Sequence, residues 1–351
     1  MQTNNNVIKP VKLSPNNLKP SAKLTAPEIG KLWATYVGNS MSIQIVKYFL
    51  KHVEDEHIKL LLENGNSLAE DFMQRIKQFL SKENFPIPIG FTKDDVNLGA
   101  PRLFEDEFYV HYLKYAAKAG LSLYNVAIPL VMREDIRDFF IYCNVSTITF
   151  LGQLNDVLMT KGLIIKPPIL PIPEKVDFIK KQNYLKGFLG EVRPLHALEI
   201  THLYDNIENN TTSKGLLIAF SQVAKDEKVR QFLIRGREIT DRSVKQYSEK
   251  LQKDNLPFPT QLDHLVTEST FSPFSDRLMV FHKVDMFSMK IRSFGNSIAV
   301  NGRRDIGSMY MRSLAEMLVY VEDGANILID NGWMEEPPKA ADRSDLASNK
   351  S

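Results

Sequence analysis

The sequence predicts an all-α chain made of two tandem four-helix bundles, each with one long crossover between its second and third helices. Three observations predict it. The chain has 351 residues, more than one hydrophobic core usually organises. Apolar side chains recur at helical spacing over stretches of about 24 to 28 residues. The second half also repeats the first at a nearly constant offset.

The repeat is explicit in the residues. EIGKLW begins at Glu28 and EITHLY at Glu199, an offset of 171. At that offset Asp55-Glu56 meets Asp226-Glu227, Gly65 meets Gly236, and NFPIP from Asn84 meets NLPFP from Asn255. Further on the offset is 170: Asp135-Ile136 meets Asp305-Ile306, and Gly162, Pro167 and Pro168 meet Gly332, Pro337 and Pro338. A single deletion over so long a comparison identifies a tandem duplication.

Each copy reads as four helices. The first opens on Thr25-Ala26-Pro27-Glu28, a capping box with proline just inside the helix, followed by Ile29, Leu32, Trp33 and Tyr36 at helical spacing. The second runs from Glu54 to Ser81 with a stripe of Ile58, Leu61, Leu62, Leu68, Phe72, Ile76 and Phe79. Gly65 and Gly236 lie inside it, which predicts close approach of a neighbouring helix or a kink. The third spans Phe104 to Ile128 and the fourth Glu134 to Thr160. Helices of that length reach about 36 to 42 Å.

Short joints make helices one and two, and three and four, antiparallel neighbours. Between helices two and three lie about 20 residues, including the proline-rich NFPIPIGF or NLPFPTQL, long enough when extended to travel the length of the bundle. One long crossover in an otherwise up-down bundle is the ferritin-like arrangement. Glycine followed by an apolar residue and a double proline (Gly162-Leu163, Gly332-Trp333) is the end-stop of each copy. Glycine takes the left-handed position after the helix, and proline prevents continuation. The organisation expected is a disordered tail over 1–23, a bundle over 24–168, a linker over 169–194, a second bundle over 195–338 and a disordered tail over 339–351. Within the linker, VDFIKKQNYLKGFL reads as a short docking helix.

Composition excludes several function classes. Net charge is +2, which gives no field for nucleic acid. No stretch approaches the roughly 20 apolar residues of a membrane span. MQTNNNVIKPVKLSPNNLKP has no apolar h-region, so no secretory signal is expected and a cytoplasmic location fits. Cys143 is the only cysteine, which leaves no internal disulfide or zinc-thiolate site; it reads as a small buried hydrophobe.

Ferritin-like bundles can carry a di-metal site built from inward glutamates and two Glu-x-x-His motifs, because residues three apart share a helix face. Two such strings exist, Glu54–His57 and Glu199–His202. They fall at the starts of non-equivalent helices, and their duplicates are Lys225 and Lys228 for the first, Glu28 and Lys31 for the second. First-turn acids complementing the helix dipole explain them better. The remaining histidines (His52, His111, His196, His264, His282) lack metal-ligand spacing, with His111 and His282 read as partly buried structural residues. Arg133-Glu134-Asp135 and Arg303-Arg304-Asp305 sit at helix starts, where capping and ion pairing account for them. No catalytic, cofactor-binding or metal-binding residue is assigned.

The strings KLW-x-x-Y-x-x-x-S from Lys31, NFPIPIGFTKDDVNLGAPRLF from Asn84, PEKVDFIKKQNYLKGFLG from Pro173, EITHLY, FSDRLMVFH from Phe274 and EDGANILIDNGWMEEPPKAADR from Glu322 together span nearly the whole chain. Through them the sequence resembles the tandem ferritin-like proteins of spore-forming bacteria grouped with spore coat protein F. That resemblance implies a ferritin-like fold in each half and a link to the coat or to sporulation; it implies no reaction and no cofactor. The function expected is a non-catalytic helical structural or interaction protein. Its expected partners are other coat or sporulation proteins or further copies of itself, with a ferritin-like metal-binding protein or oxidase as the alternative. A binder of small apolar ligands between the bundles is a third possibility.

Overall fold

In a computed structural model that describes residues 23–348, the chain is all-α. The first copy comprises α1 (Ala26–His52), α2 (Glu56–Lys82), α3 (Asp106–Ala127) and α4 (Glu134–Thr160). The second comprises α5 (Ala197–Val223), α6 (Glu227–Lys253), α7 (Asp276–Val300) and α8 (Arg304–Asp330). A short α9 (Arg343–Ser348) lies in the segment the sequence reads as a loose tail. Apart from Lys23, the N-terminal tail falls outside the described residues.

Side chains at the helix ends fix the direction of each helix. The Asp106 carboxylate, at the start of α3, accepts from the Glu54 and Asp55 amides at 2.9 and 2.7 Å, so α2 and α3 begin at one end of the bundle. At the other end Glu28 in the first turn of α1 accepts from the Met132 and Arg133 amides at 3.1 and 2.8 Å, joining the start of α1 to the α3–α4 turn. The crossover therefore runs the full bundle length, and the helices point up, down, down and up. The second copy repeats the device: Asp276 accepts from Lys225 and Asp226, and Glu199 from Gly302.

Helix ends follow the local chemistry of the sequence. Glu28 accepts from the Thr25 amide at 2.6 Å and hydroxyl at 2.8 Å, the reciprocal half of a capping box. In the second copy His196 stands at that N-cap, its Nδ1 accepting from the Glu199 amide at 3.2 Å. After α4 and α8, Gly162 and Gly332 have φ of 69° and 65°. The amides of Leu163 and Trp333 donate back to the carbonyls of Leu158 and Leu328 at 2.9 and 2.8 Å, each a Schellman cap. Asn84 and Asn255 end α2 and α6 in the same left-handed conformation.

The two copies pack together about an internal pseudo-twofold axis. Val96 bridges to Phe274, and Phe104 to Val266, both antiparallel. These pairs exchange under the 170-residue offset, so each crossover holds the entry to the other copy's third helix. On the axis, Tyr112 of α3 stacks on its own duplicate position, His282 of α7, with ring centroids 5.8 Å apart. One apolar cluster runs through both copies, from Phe49 and Phe108 to Phe220 and Phe287, with a smaller second cluster around Leu32, Phe72 and Phe140 in the first bundle. The sequence leaves the packing of the two copies open; folded, they share one core.

The end-stop DNGWMEEPP does more than terminate α8. Glu335 reaches back to the first crossover and accepts from the Ile89 and Gly90 amides at 2.9 and 2.6 Å. Gly90 has φ of 66°, and a Cβ there would collide with Ser40 Oγ, so only glycine allows this approach. Arg277 completes the joint, donating to the Gly90 and Trp333 carbonyls at 3.0 and 3.2 Å.

The linker does not form the docking helix the sequence suggests. Beyond a single 3-10 turn at Gln182–Leu185 it is extended. Val176, Phe178, Ile179 and Leu189 stay exposed, so no burial offsets the entropy of forming a helix there.

Candidate functional site

Facing helices of a four-helix bundle build ligand and metal sites along its axis, and here the duplicates diverge. In the second bundle α7 carries lysine at two inward positions a heptad apart. Lys283 is fully buried and donates to Ser213 Oγ at 2.8 Å. Lys290 is 1% exposed, meets only Thr240 Oγ1 at 3.5 Å, and lies 4.2 Å from the centre of the Phe287 ring. Neither has a carboxylate within ion-pair distance among the described residues. Burial pushes Lys283 down to about 7. Lys290 falls well below the ordinary lysine value, through burial and then the charge of Lys283. His282, between the copies, is depressed by burial and has neither ring nitrogen bonded.

In the first bundle the same backbone positions carry Leu113 and Gly120, with Ala116 and Ala117 where the second has Met286 and Phe287. Smaller side chains leave a cavity of about 80 Å³ against Phe72, Leu113 and Phe150. Beside it, between α1, α3 and α7, a cleft of about 190 Å³ is shared by both copies, with Asp285 and Arg292 on its α7 side. Only a wall of Asn39, Ser42, Ala116, Gly120 and Tyr124 separates cavity and cleft. Two buried polar atoms facing these spaces have no hydrogen-bond partner, Asn66 Oδ1 and Thr35 Oγ1, while Tyr112 Oη has the Ser42 side chain beside it.

On the opposite side of the pseudo-twofold, the corresponding α3–α5 seam is closed by charge. Lys114 meets Glu208 at 2.6 Å, and Lys118 meets Asp205 at 2.7 Å and also Glu208. Burial would raise the Glu208 carboxyl, but Lys118 and Lys114 outweigh it and hold it at about 2. The duplicates of Asp205, Glu208, Lys114 and Lys118 are Ala34, Val37, Val284 and Ser288, which is why the α1–α7 side stays open.

The residues singled out in the sequence fall elsewhere. Glu54 and His57 are exposed at the start of α2. Glu199 is buried at the end of the second bundle, held by Arg193 through two bonds of 2.8 Å. Arg133 pairs with Asp135, and Arg303 with Asp305, at the starts of α4 and α8. Cys143 is buried, and burial raises its thiol far above the ordinary range. The buried carboxylates Glu28, Asp95, Glu199, Glu208 and Asp305 lie at bundle ends, in the crossover or at the seam between copies. Among the described residues, no group of three or more His, Cys, Asp and Glu is placed to hold a metal ion. Among the same described residues, no helix is long and apolar enough to cross a membrane. The buried lysines were missed in the sequence, although two lysines seven apart in FHKVDMFSMKI, on the face of Phe287 and Phe294, were a usable signal.

Among curated proteins none matches the chain. A crystal structure of a candidate spore coat protein from Bacillus halodurans is similar at 22% identity, over 43% of this chain and 98% of that one, with a TM-score of 0.39. The model of the family described as "protein of unknown function (DUF3231)" matches twice, over residues 14–176 and 184–346, and the chain belongs to that family as a tandem pair.

Proposed function

We propose that the protein is a non-catalytic helical building block that works by association with further copies of itself. The observation behind this reading is the arm between the bundles. Ile169, Ile172, Val176, Phe178 and Leu189 are each more than four-fifths exposed. Five such side chains leave on the order of 800 Å² in water, the area each partner contributes to a standard interface. Four prolines between 167 and 173 hold the start of the arm extended, which lowers the entropy lost when it docks. A second copy fits best, because the arm mixes both charge signs (Lys175, Lys180 and Lys181 with Glu174 and Asp177) and so selects no strongly charged partner.

The residues at the bundle ends favour the same reading, since their charged side chains serve caps and joints. An oxidase would need inward carboxylates at mid-depth, where the second bundle has lysines instead. The resemblance to coat-F-like proteins directs such an assembly toward the spore or its formation.

Sedimentation velocity across a concentration series tests the association. Wild-type protein is expected to form dimers or larger species at micromolar concentration, and Ile172→Asp with Phe178→Asp to stay monomeric. A wild type monomeric throughout would end the proposal. For the spore assignment, fractionation of sporulating cells should find the protein in spores; confinement to vegetative cytosol would overturn it.

A further inference from the structure

The hollow axis of the first bundle is unlike an ordinary packing defect, because the chain contains its own filled control. Ala116, Ala117 and Gly120 are occupied in the duplicate by Met286, Phe287 and Lys290, on the same helix of the same bundle type. The backbone therefore accommodates a filled axis, and the first copy leaves it open. The void is also not uniformly apolar. Thr35 is 1% exposed, yet Thr35 Oγ1 has no partner, and neither does Asn66 Oδ1. Each unsatisfied buried polar atom costs about 1–3 kcal/mol unless something bonds to it. Apolar walls with a few convergent polar atoms are the composition of a small-molecule site.

The mouth narrows the chemistry. Asp285, on the cleft side, makes no hydrogen bond or ion pair among the described residues, and burial raises its carboxyl above the ordinary value. Arg292 is near enough to oppose that shift but donates to Ser122 Oγ at 3.1 Å instead. Asp285 and Asn66 Oδ1 are acceptors, and the Thr35 hydroxyl can accept as well as donate, so a donor on the ligand suits all three.

We propose that the first bundle binds a small amphipathic molecule entering from the cleft between the copies. Its ring or short alkyl body would lie against Phe72, Leu113 and Phe150, and a hydrogen-bond-donating head, amine or hydroxyl, would face Asp285. The cavity of about 80 Å³ is smaller than the roughly 150 Å³ that takes up benzene in an engineered core, so the ring occupies the space that cavity and cleft form together. Movement of the Asn39 and Tyr124 side chains in the shared wall admits it. This site is independent of the association proposed above.

Ligand-observed NMR on the full chain tests it, with benzylamine, benzyl alcohol, toluene and benzoate as probes. Saturable binding of the amine and the alcohol is expected, at least tenfold tighter than toluene or benzoate. Ala117→Phe, which copies Phe287, should weaken binding more than tenfold while the unfolding midpoint stays at or above that of the wild type. Should that variant fail to fold, Ala116→Met, which copies Met286, occludes the same space. Asp285→Asn should remove the advantage of the amine and leave the alcohol bound. Absence of saturable binding by any probe would mean the cavity holds water only and would overturn the proposal. Binding unchanged in a folded, occluded variant would do the same.

Discussion

The two bundle axes share a backbone and differ in what fills it. The first is hollow, with small residues on α3 and two orphaned polar atoms nearby. The second is full, but part of its filling is two lysine side chains with no carboxylate partner. Duplicated folds thus keep their caps and joints while their interiors drift, because caps are fixed by backbone geometry that every copy must satisfy. An interior has only to be filled well enough. The seam between the copies shows the same split, ionic on the α3–α5 side and open on the α1–α7 side.

The ionic side offers the largest effect. Glu208→Ala leaves Lys114 and Lys118 facing each other without their shared acid, and should lower the unfolding free energy by roughly 3–5 kcal/mol. Urea denaturation measures this, and a change under about 1 kcal/mol would show that water already reaches the cluster.

The lysines come next, and they set a pH dependence. Their folded values lie below the unfolded one, so between pH 7 and 9 the unfolded chain holds more protons and stability rises with pH. Over that window the rise should be about 2 kcal/mol for Lys283; it continues until pH passes the ordinary lysine value, and Lys290 adds to it in the same direction. Lys283→Met and Lys290→Met should each stabilise the protein at pH 7 and flatten that slope. A slope unchanged in the double variant would locate the titration elsewhere. Measurements are best kept below pH 10, since buried tyrosines such as Tyr112 and Tyr310, raised by burial, contribute the opposite sign there.

The paired glycines of α2 and α6 sharpen the comparison at smaller scale. A Cβ on Gly236 would strike the Tyr320 hydroxyl, whereas at Gly65 it would lie 3.2 Å from the Phe150 ring. Gly236→Ala should therefore destabilise by about 1–3 kcal/mol. Gly65→Ala should stay within about 1 kcal/mol of wild type, because the gain in helix propensity offsets a mild squeeze. Equal thermal shifts for the two would contradict the packing described. The smallest effect belongs to Glu335→Gln, at a partly exposed joint: about 1 kcal/mol in stability, with faster hydrogen exchange at the Ile89 and Gly90 amides.

Much of this architecture was legible beforehand, for identifiable reasons. Thr25-x-x-Glu28 and the glycines at 162 and 332 act within a few residues of themselves, so their geometry follows from local chemistry. The crossover was legible because chain length and proline content bound how far a segment can travel. Glu28 and Glu199 were legible only in part. Their place in the first turn was evident, but their bonds to the α3–α4 and α7–α8 turns join residues more than 100 positions apart.

By itself, the sequence determined the helices, their caps, the duplication and the up-down-down-up connection, since each depends on neighbours along the chain or on a periodic pattern. The tertiary structure alone decided that the copies share a core about a pseudo-twofold axis, that Glu335 binds one copy to the other, and that one axis is hollow. The physical reason is the same for all three. A joint depends on groups brought together only by folding, and a cavity is the difference between side-chain volume and the space the surrounding helices enclose. Neither quantity is a property of any one segment.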